Sequence, residues 1–131
     1  MILVDSSVWI DYFNGTISPE TDLLNLKLGE EPIAAGDLIL SEVLQGFRSD
    51  SDYRIARSLM SALPTYQLLN PELAITAADR YRSLRKLGIT VRKTSDIIIG
   101  SYCIDKQLPL LFSDRDFDPM VQHLGLQSAL N

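Results

Sequence analysis

The stretch Met1-Ile2-Leu3-Val4-Asp5-Ser6-Ser7-Val8-Trp9-Ile10-Asp11-Tyr12-Phe13 decides the fold. Four apolar residues in a row, without alternation, describe a strand buried on both faces. Asp5 stops the run, and Val8, Trp9, Tyr12 and Phe13 then recur at helical spacing across residues 6–13. A buried strand that runs straight into a helix is the start of a β-α unit, which calls for a parallel sheet covered by helices. Asp5 stands at the carboxyl end of that strand, the edge outside which open α/β sheets bind their ligands.

The rest of the chain repeats the alternation. Asn14-Gly15 is a turn signal, and Ser18-Pro19-Glu20 restarts a helix that runs to Lys27 or Leu28, with Gly29 beyond it. Ile33-Ala34-Ala35 reads as the second strand. Asp37 is expected to cap a helix with Leu40, Val43, Leu44 and Phe47 as its apolar stripe, which leaves Ser41, Glu42, Gln45 and Arg48 off it. Ser51 or Asp52 is expected to cap a helix over residues 53–63, ended by Pro64. Residues 66–69 predict a third strand. Pro71 opens a long helix burying Ala74, Ala77, Ala78, Tyr81 and Leu84, and Gly88 ends it. Thr94 or Ser95 caps the next helix, which carries Asp96 in its first turn and reaches about Lys106. Residues 110–112 form a fourth strand, Asp118-Pro119 starts a last short helix, and Leu124-Gly125-Leu126 offers an edge strand. The expectation is a three-layer α/β/α sandwich with a central, mostly parallel sheet of four to five strands. Its 131 residues make a single domain, 1–131.

Composition narrows the class. Hydrophobic residues make up 46% and charged residues 22%, an ordinary globular balance. The single cysteine, Cys103, excludes an internal disulfide and a multi-cysteine zinc site. No apolar run approaches the ~20 residues of a membrane span, and the N-terminus lacks a signal-peptide pattern, so a cytoplasmic protein without membrane contact is expected. A net charge of −5 argues against nucleic-acid binding through bulk positive potential. The charges are nevertheless segregated. Between Asp79 and Asp96 there is no acid, while Arg80, Arg82, Arg85, Lys86, Arg92 and Lys93 fall there. Such a segment is either a solvated helix face or a basic rim beside an acidic site.

The acids carry the functional signal. Asp5 and the pair Asp114 and Asp116 follow apolar strands, and Asp96 opens an apolar helix. Singly, each has a structural explanation: Asp caps helices, complements the helix dipole and forms turns. Jointly, they place several like charges at one sheet edge, an arrangement that is costly unless a cation binds there. The lone His123 sits near the C-terminus and is read as structural, so zinc is disfavoured and an oxygen site for Mg²⁺ or Mn²⁺ is expected. Adjacent acids after the first strand and a lysine after the last would indicate a phospho-Asp receiver domain. Asp5 is instead followed by Ser6-Ser7. Ser7 also stands where an Asp-nucleophile phosphatase would want a second acid. A non-catalytic interaction domain, its acids merely capping helices, is the remaining alternative.

Residues 1–13 as quoted resemble the opening of VapC-type toxins, which are PIN-domain ribonucleases. Leu40-Ser41-Glu42-Val43-Leu44-Gln45-Gly46 resembles their second acidic motif. Asp96 with its apolar helix resembles the third, and Phe112-Ser113-Asp114-Arg115-Asp116-Phe117 with His123-Leu124-Gly125-Leu126 resembles their C-terminal signature. The resemblance implies a PIN fold and a Mg²⁺-dependent endoribonuclease, with Mn²⁺ also supporting activity. It also implies a homodimer and a cognate antitoxin that inhibits the enzyme and contacts DNA in the joint complex. It assigns Asp5, Glu42 and Asp96 as catalytic and metal-binding. For the fourth acid Asp116 is the closer match and Asp114 a second candidate ligand. Ser6, Ser113, Arg82, Arg85, Lys86, Arg92 and Lys93 are the candidate contacts to an RNA substrate. The sequence Ile97-Ile98-Ile99-Gly100 departs from the small residues that many relatives carry after the third acid.

Overall fold

The computed structural model describes residues 1–130, so Asn131, the last residue of the expected domain, lies outside the described residues. The strands are β1 (Ile2–Val4), β2 (Ile33–Gly36), β3 (Thr65–Tyr66) and β4 (Leu110–Leu111). All pair in parallel, in the order β3-β2-β1-β4, with Leu3 opposite Ala34 on one side and Leu110 on the other. The helices are α1 (Ser6–Phe13), α2 (Pro19–Lys27), α3 (Asp37–Leu44), α4 (Asp50–Ser61), α5 (Pro71–Lys86), α6 (Thr94–Lys106) and α7 (Asp118–Leu124), with a 3₁₀ turn at Arg115–Phe117.

Every residue of β1 and β2 is buried, as an apolar run without alternation requires of strands covered on both faces. Two helix groups supply the cover: α1 packs on α2 and α3, and α3 on α4, while α5 packs on α6 and α7. The expected α/β/α sandwich with a parallel sheet is therefore the observed fold, with four strands. The chain steps from β1 to β2 to β3 in one direction and then returns to place β4 on the far side of β1. That reversal creates a crevice at the carboxyl ends of β1 and β4, the position where such sheets bind ligands. The Asp5 N–H donates to the Leu111 carbonyl at 2.9 Å and joins the two strand ends.

Several local expectations shift. The third strand is Thr65–Tyr66 rather than 66–69, because residues 67–70 turn toward α5. Ser49 caps α4 by accepting from the Asp52 N–H, so neither Ser51 nor Asp52 is the cap. Asp37 lies inside the first turn of α3. Its Oδ1 accepts from the N–H groups of Leu38 and Leu68, so it ties β3's exit to α3 rather than capping the helix. Neither Thr94 nor Ser95 caps α6, which starts after Lys93 without a side-chain cap. Leu124-Gly125-Leu126 is not a strand: α7 ends at Leu124 with Gly125 at φ 81°, and the edge contact comes from Ser128 bridging to Leu110.

The buried faces also rotate slightly. In α3, Ile39 and Val43 are fully buried, with Leu40 and Leu44 half-buried beside them. In α5 the buried set is Leu73, Ala77 and Leu84, and Ala74 and Ala78 are exposed. Trp9 is wholly buried and stacks on Phe13 with ring centroids 5.9 Å apart. The Ile97-Ile98-Ile99-Gly100 departure is absorbed by packing: Ile97 and Ile99 enter the core, and Gly100 leaves room for Met120 of α7.

Gly36 is a second close approach. A Cβ there would lie 2.7 Å from Leu68 Cγ, in a side chain that is itself fully buried. Gly36→Ala is expected to destabilise the fold by about 1–3 kcal/mol through overpacking, read as a lower urea midpoint at unchanged m-value. An unchanged midpoint would show that Leu68 can move aside freely.

Candidate metal and active site

The crevice collects the predicted acids from four separate parts of the chain. Asp5 follows β1 and caps α1, its side chain accepting from the Ser7 N–H at 3.2 Å. Asp96 enters from the first turn of α6, where a negative charge suits the helix dipole. Asp114 follows β4 and caps the 3₁₀ turn by accepting from the Asp116 N–H at 3.0 Å. Glu42 reaches in from α3. Ligand oxygens of Asp96, Asp114 and Asp116 all lie within 4.8 Å of one another. Both candidates for the fourth acid are therefore in place, and Asp116 is not alone.

The acids differ in their surroundings. Asp5 and Asp96 are buried, at 2% and 4% exposure, while Glu42, Asp114 and Asp116 are half-buried. Asp5 Oδ1 and Asp96 Oδ2 are each shut off from solvent with no hydrogen-bond partner among the described residues. Burial holds the Asp96 carboxyl at a pKa of about 7, with the Asp5 and Asp114 charges adding to the effect. Burial likewise raises Asp5, against hydrogen bonds from Ser7 that lower it, and Glu42 adds further repulsion.

Glu42 is held differently. Its two oxygens accept from Ser6 Oγ at 3.3 Å and Ser95 Oγ at 3.0 Å, which links α3 to the first turns of α1 and α6. Asp5 has its own hydroxyl partner in Ser7, whose Oγ donates to Oδ2 at 2.6 Å. Ser113 Oγ donates in turn to Ser7 Oγ at 3.2 Å. In this structure Ser6 donates to one of the acids and Ser113 to the serine that holds another. Sequence reading missed Ser7 and Ser95 as site residues. For Ser7 a signal existed, since an Asp N-cap is followed two residues later by the N–H it binds.

The basic residues divide into two sets. Arg92 and Lys93 sit against the acids: Arg92 Nε donates to Asp116 Oδ2 at 3.1 Å, and Lys93 Nζ lies 3.8 Å from Asp114 Oδ2. Arg82, Arg85 and Lys86 are exposed on α5. Arg82 and Arg85 border a groove of about 410 Å³ that also involves Tyr81, Ile97 and Ile98 and includes none of the acids. His123 is exposed in the last turn of α7.

Buried carboxylate oxygens without partners among the described residues, at the end of a parallel sheet, have the chemistry and the position that could hold a cation. The PIN domain family model matches residues 2–120. The chain belongs to the PIN domain family. The VapC ribonuclease Mb1587 of Mycobacterium bovis is 34% identical to it, over 98% of each chain. Ribonuclease VapC11 of Mycobacterium tuberculosis shows the same identity and coverage. Among solved structures, VapBC2 from Rickettsia felis, bound to a DNA fragment from their promoter, superposes with a TM-score of 0.75 at 15% identity. That match covers 98% of this chain and 97% of the other. A toxin–antitoxin complex from Klebsiella pneumoniae gives a TM-score of 0.68 at 19% identity, covering 89% and 90%. These distant structures bear on the fold alone. Among the described residues no helix is long and apolar enough to cross a membrane.

The raised Asp96 carboxyl has a consequence for stability. In the folded chain it holds its proton up to about pH 7, whereas an unfolded Asp releases it near 4. The folded state therefore binds more protons across that window, and stability falls as pH rises through it. With chelator present, melting temperature is expected to drop from about pH 4 to about pH 7 on account of this group, and Asp96→Asn should flatten part of the decline and melt higher at pH 8. An Asn variant melting lower than the parent at pH 8 in chelator would contradict the assigned strain.

Proposed function

We propose that this PIN domain is a metal-dependent endoribonuclease, the toxin of a toxin–antitoxin pair, which hydrolyses RNA phosphodiester bonds using Mg²⁺ or Mn²⁺. One observation carries the reading: two buried carboxylates from different elements, beyond the ends of β1 and β4, each keep an oxygen with no hydrogen-bond partner among the described residues. That donor set fits a hard divalent cation and little else. The relatives' names, VapC ribonuclease and ribonuclease VapC11, support the same reading.

In this reading Asp5 and Asp96 are the principal ligands. Asp114, Asp116 and Glu42 complete the acidic wall, directly or through water. The bound cation would polarise a phosphoryl oxygen and make its water a stronger nucleophile at neutral pH. The chain's own groups do the positioning. Ser7, backed by Ser113, fixes the Asp5 rotamer, and Ser6 and Ser95 fix Glu42. Neutral hydroxyl donors orient the acids without cancelling the negative charge that draws the cation. Arg82, Arg85 and Lys86 are candidate phosphate contacts further along the strand, which would position RNA without reading its sequence. Unpaired RNA suits a crevice of this kind better than duplex, because its nucleotides can be splayed into it. A single domain over residues 1–131, a homodimer, a cytoplasmic setting, an inhibitory antitoxin and DNA contact only through the antitoxin complex belong to the same reading.

Asp5→Asn and Asp96→Asn should each reduce RNA cleavage by at least about 10²-fold, as loss of an electrostatic catalytic group does, with the fold retained. Chelation should silence the parent, and Mg²⁺ or Mn²⁺ should restore it. Both purified variants cutting RNA at the parental Mg²⁺-dependent rate would end the proposal. Ser7→Ala should lower kcat about tenfold, while urea stability falls by only about 1 kcal/mol, the worth of a typical hydrogen bond. Loss of stability without loss of kcat would make Ser7 a structural residue only.

A further inference from the structure

The acids in the crevice fall into two groups by what faces their oxygens. Asp5 Oδ1 and Asp96 Oδ2 face nothing among the described residues. Both oxygens of Asp116 face Arg92: Oδ2 accepts from the Arg92 backbone N–H at 3.4 Å and from Nε at 3.1 Å, and Oδ1 lies 3.4 Å from Nε. Asp114 Oδ1 accepts from the Asp116 N–H and lies 3.9 Å from Arg92 Nη2, while its Oδ2 faces Lys93 Nζ at 3.8 Å. Asp96, Asp114 and Asp116 are close enough to share an ion, yet two of those three acids already have cationic neighbours supplied by the chain.

Resting on the metal-dependent reading above, we infer that Arg92, seconded by Lys93, occupies the place of a second metal ion, so that the site takes one divalent cation per chain. Two-metal sites hold their ions ~3.5–4 Å apart, which requires unpartnered carboxylates on both sides. Here only one side offers them. A guanidinium whose Nε is shared by both Asp116 oxygens, with Nη2 toward Asp114, would repel a second ion and leave its remaining N–H groups free for a phosphate oxygen. Although the Arg92 side chain is 73% exposed, its backbone N–H holds the same carboxylate, so Asp116 stays on this segment when the side chain moves. Lys93 is 62% exposed, and neither residue contributes to the core.

Mn²⁺ binding to the full chain, counted by electron paramagnetic resonance of the free ion, tests this without any RNA. The parent should bind one Mn²⁺ per chain. Arg92→Ala/Lys93→Ala should bind two at millimolar concentration, and Arg92→Lys, which keeps the charge, should bind one. Two ions in the parent, or a single ion in the double variant, would overturn the inference while leaving the metal-dependent reading intact. No ion in either protein would remove the metal-dependent reading, and with it this one.

Discussion

Two carboxylates buried beyond the carboxyl ends of β1 and β4 are the constraint to which the rest of this structure answers. An ion taken out of water costs several kcal/mol unless something compensates it. Asp5 receives partial compensation from the Ser7 N–H and hydroxyl, and Asp96 from its place in a helix first turn. Each still keeps one buried oxygen without a partner among the described residues. A chain selected for stability alone would place apolar or neutral residues there. The sheet order sets where the two acids stand: β4 returns beside β1, and the Asp5 N–H bonds the Leu111 carbonyl and joins the two strand ends.

Much of this was legible in the sequence because the signals are local and periodic. The unbroken run Ile2-Leu3-Val4 specifies a strand with two buried faces, and Asp5 at its end is a capping residue wherever the strand is placed. Pro19 and Pro71 mark helix starts for a covalent reason, the fixed φ and missing N–H. The errors occur where tertiary contacts choose among near-equivalent options. Ser49, Ser51 and Asp52 can all cap a helix, and only packing decides that Ser49 does. Ala74 and Ala78 satisfy the helical period as well as Leu73 and Ala77 do, and the position of α6 decides which pair is covered. The two-residue strands β3 and β4 carry little periodicity of their own and are set by their neighbours.

The site shows the same division. The acids were readable, since four Asp residues at strand ends and helix starts form an improbable pattern. Their partners were not. Ser95 bonds Glu42 across 53 residues of sequence, and Ser113 reaches Ser7 across 106. A serine has no sequence signature for such a contact. The basic segment was visible as a cluster, but its split was hidden: Arg82 and Arg85 on α5 border an apolar groove, while Arg92 and Lys93, just beyond the helix, turn onto the acids. Gly88, at φ 81°, ends α5 and redirects the chain, and a one-dimensional reading cannot follow that change of direction.

Net charge is a poor guide to local electrostatics in this molecule, and the distribution of the acids shows why. A formal charge of −5 disfavours nucleic acid only if the charge is spread evenly. Five of the acids are gathered in one crevice, where a bound cation would reverse their local effect. Exposed charges more than about 10 Å away are largely screened at physiological salt, so a phosphate at the crevice responds to its immediate neighbours. Those neighbours are the acids themselves and the guanidinium of Arg92, held in place by Asp116. Arg92 and Lys93, unlike the exposed cations of α5, therefore belong to the same electrostatic cluster as the acids. The acids fix the geometry of the Arg92 guanidinium, and the guanidinium in turn offsets the repulsion between Asp114 and Asp116.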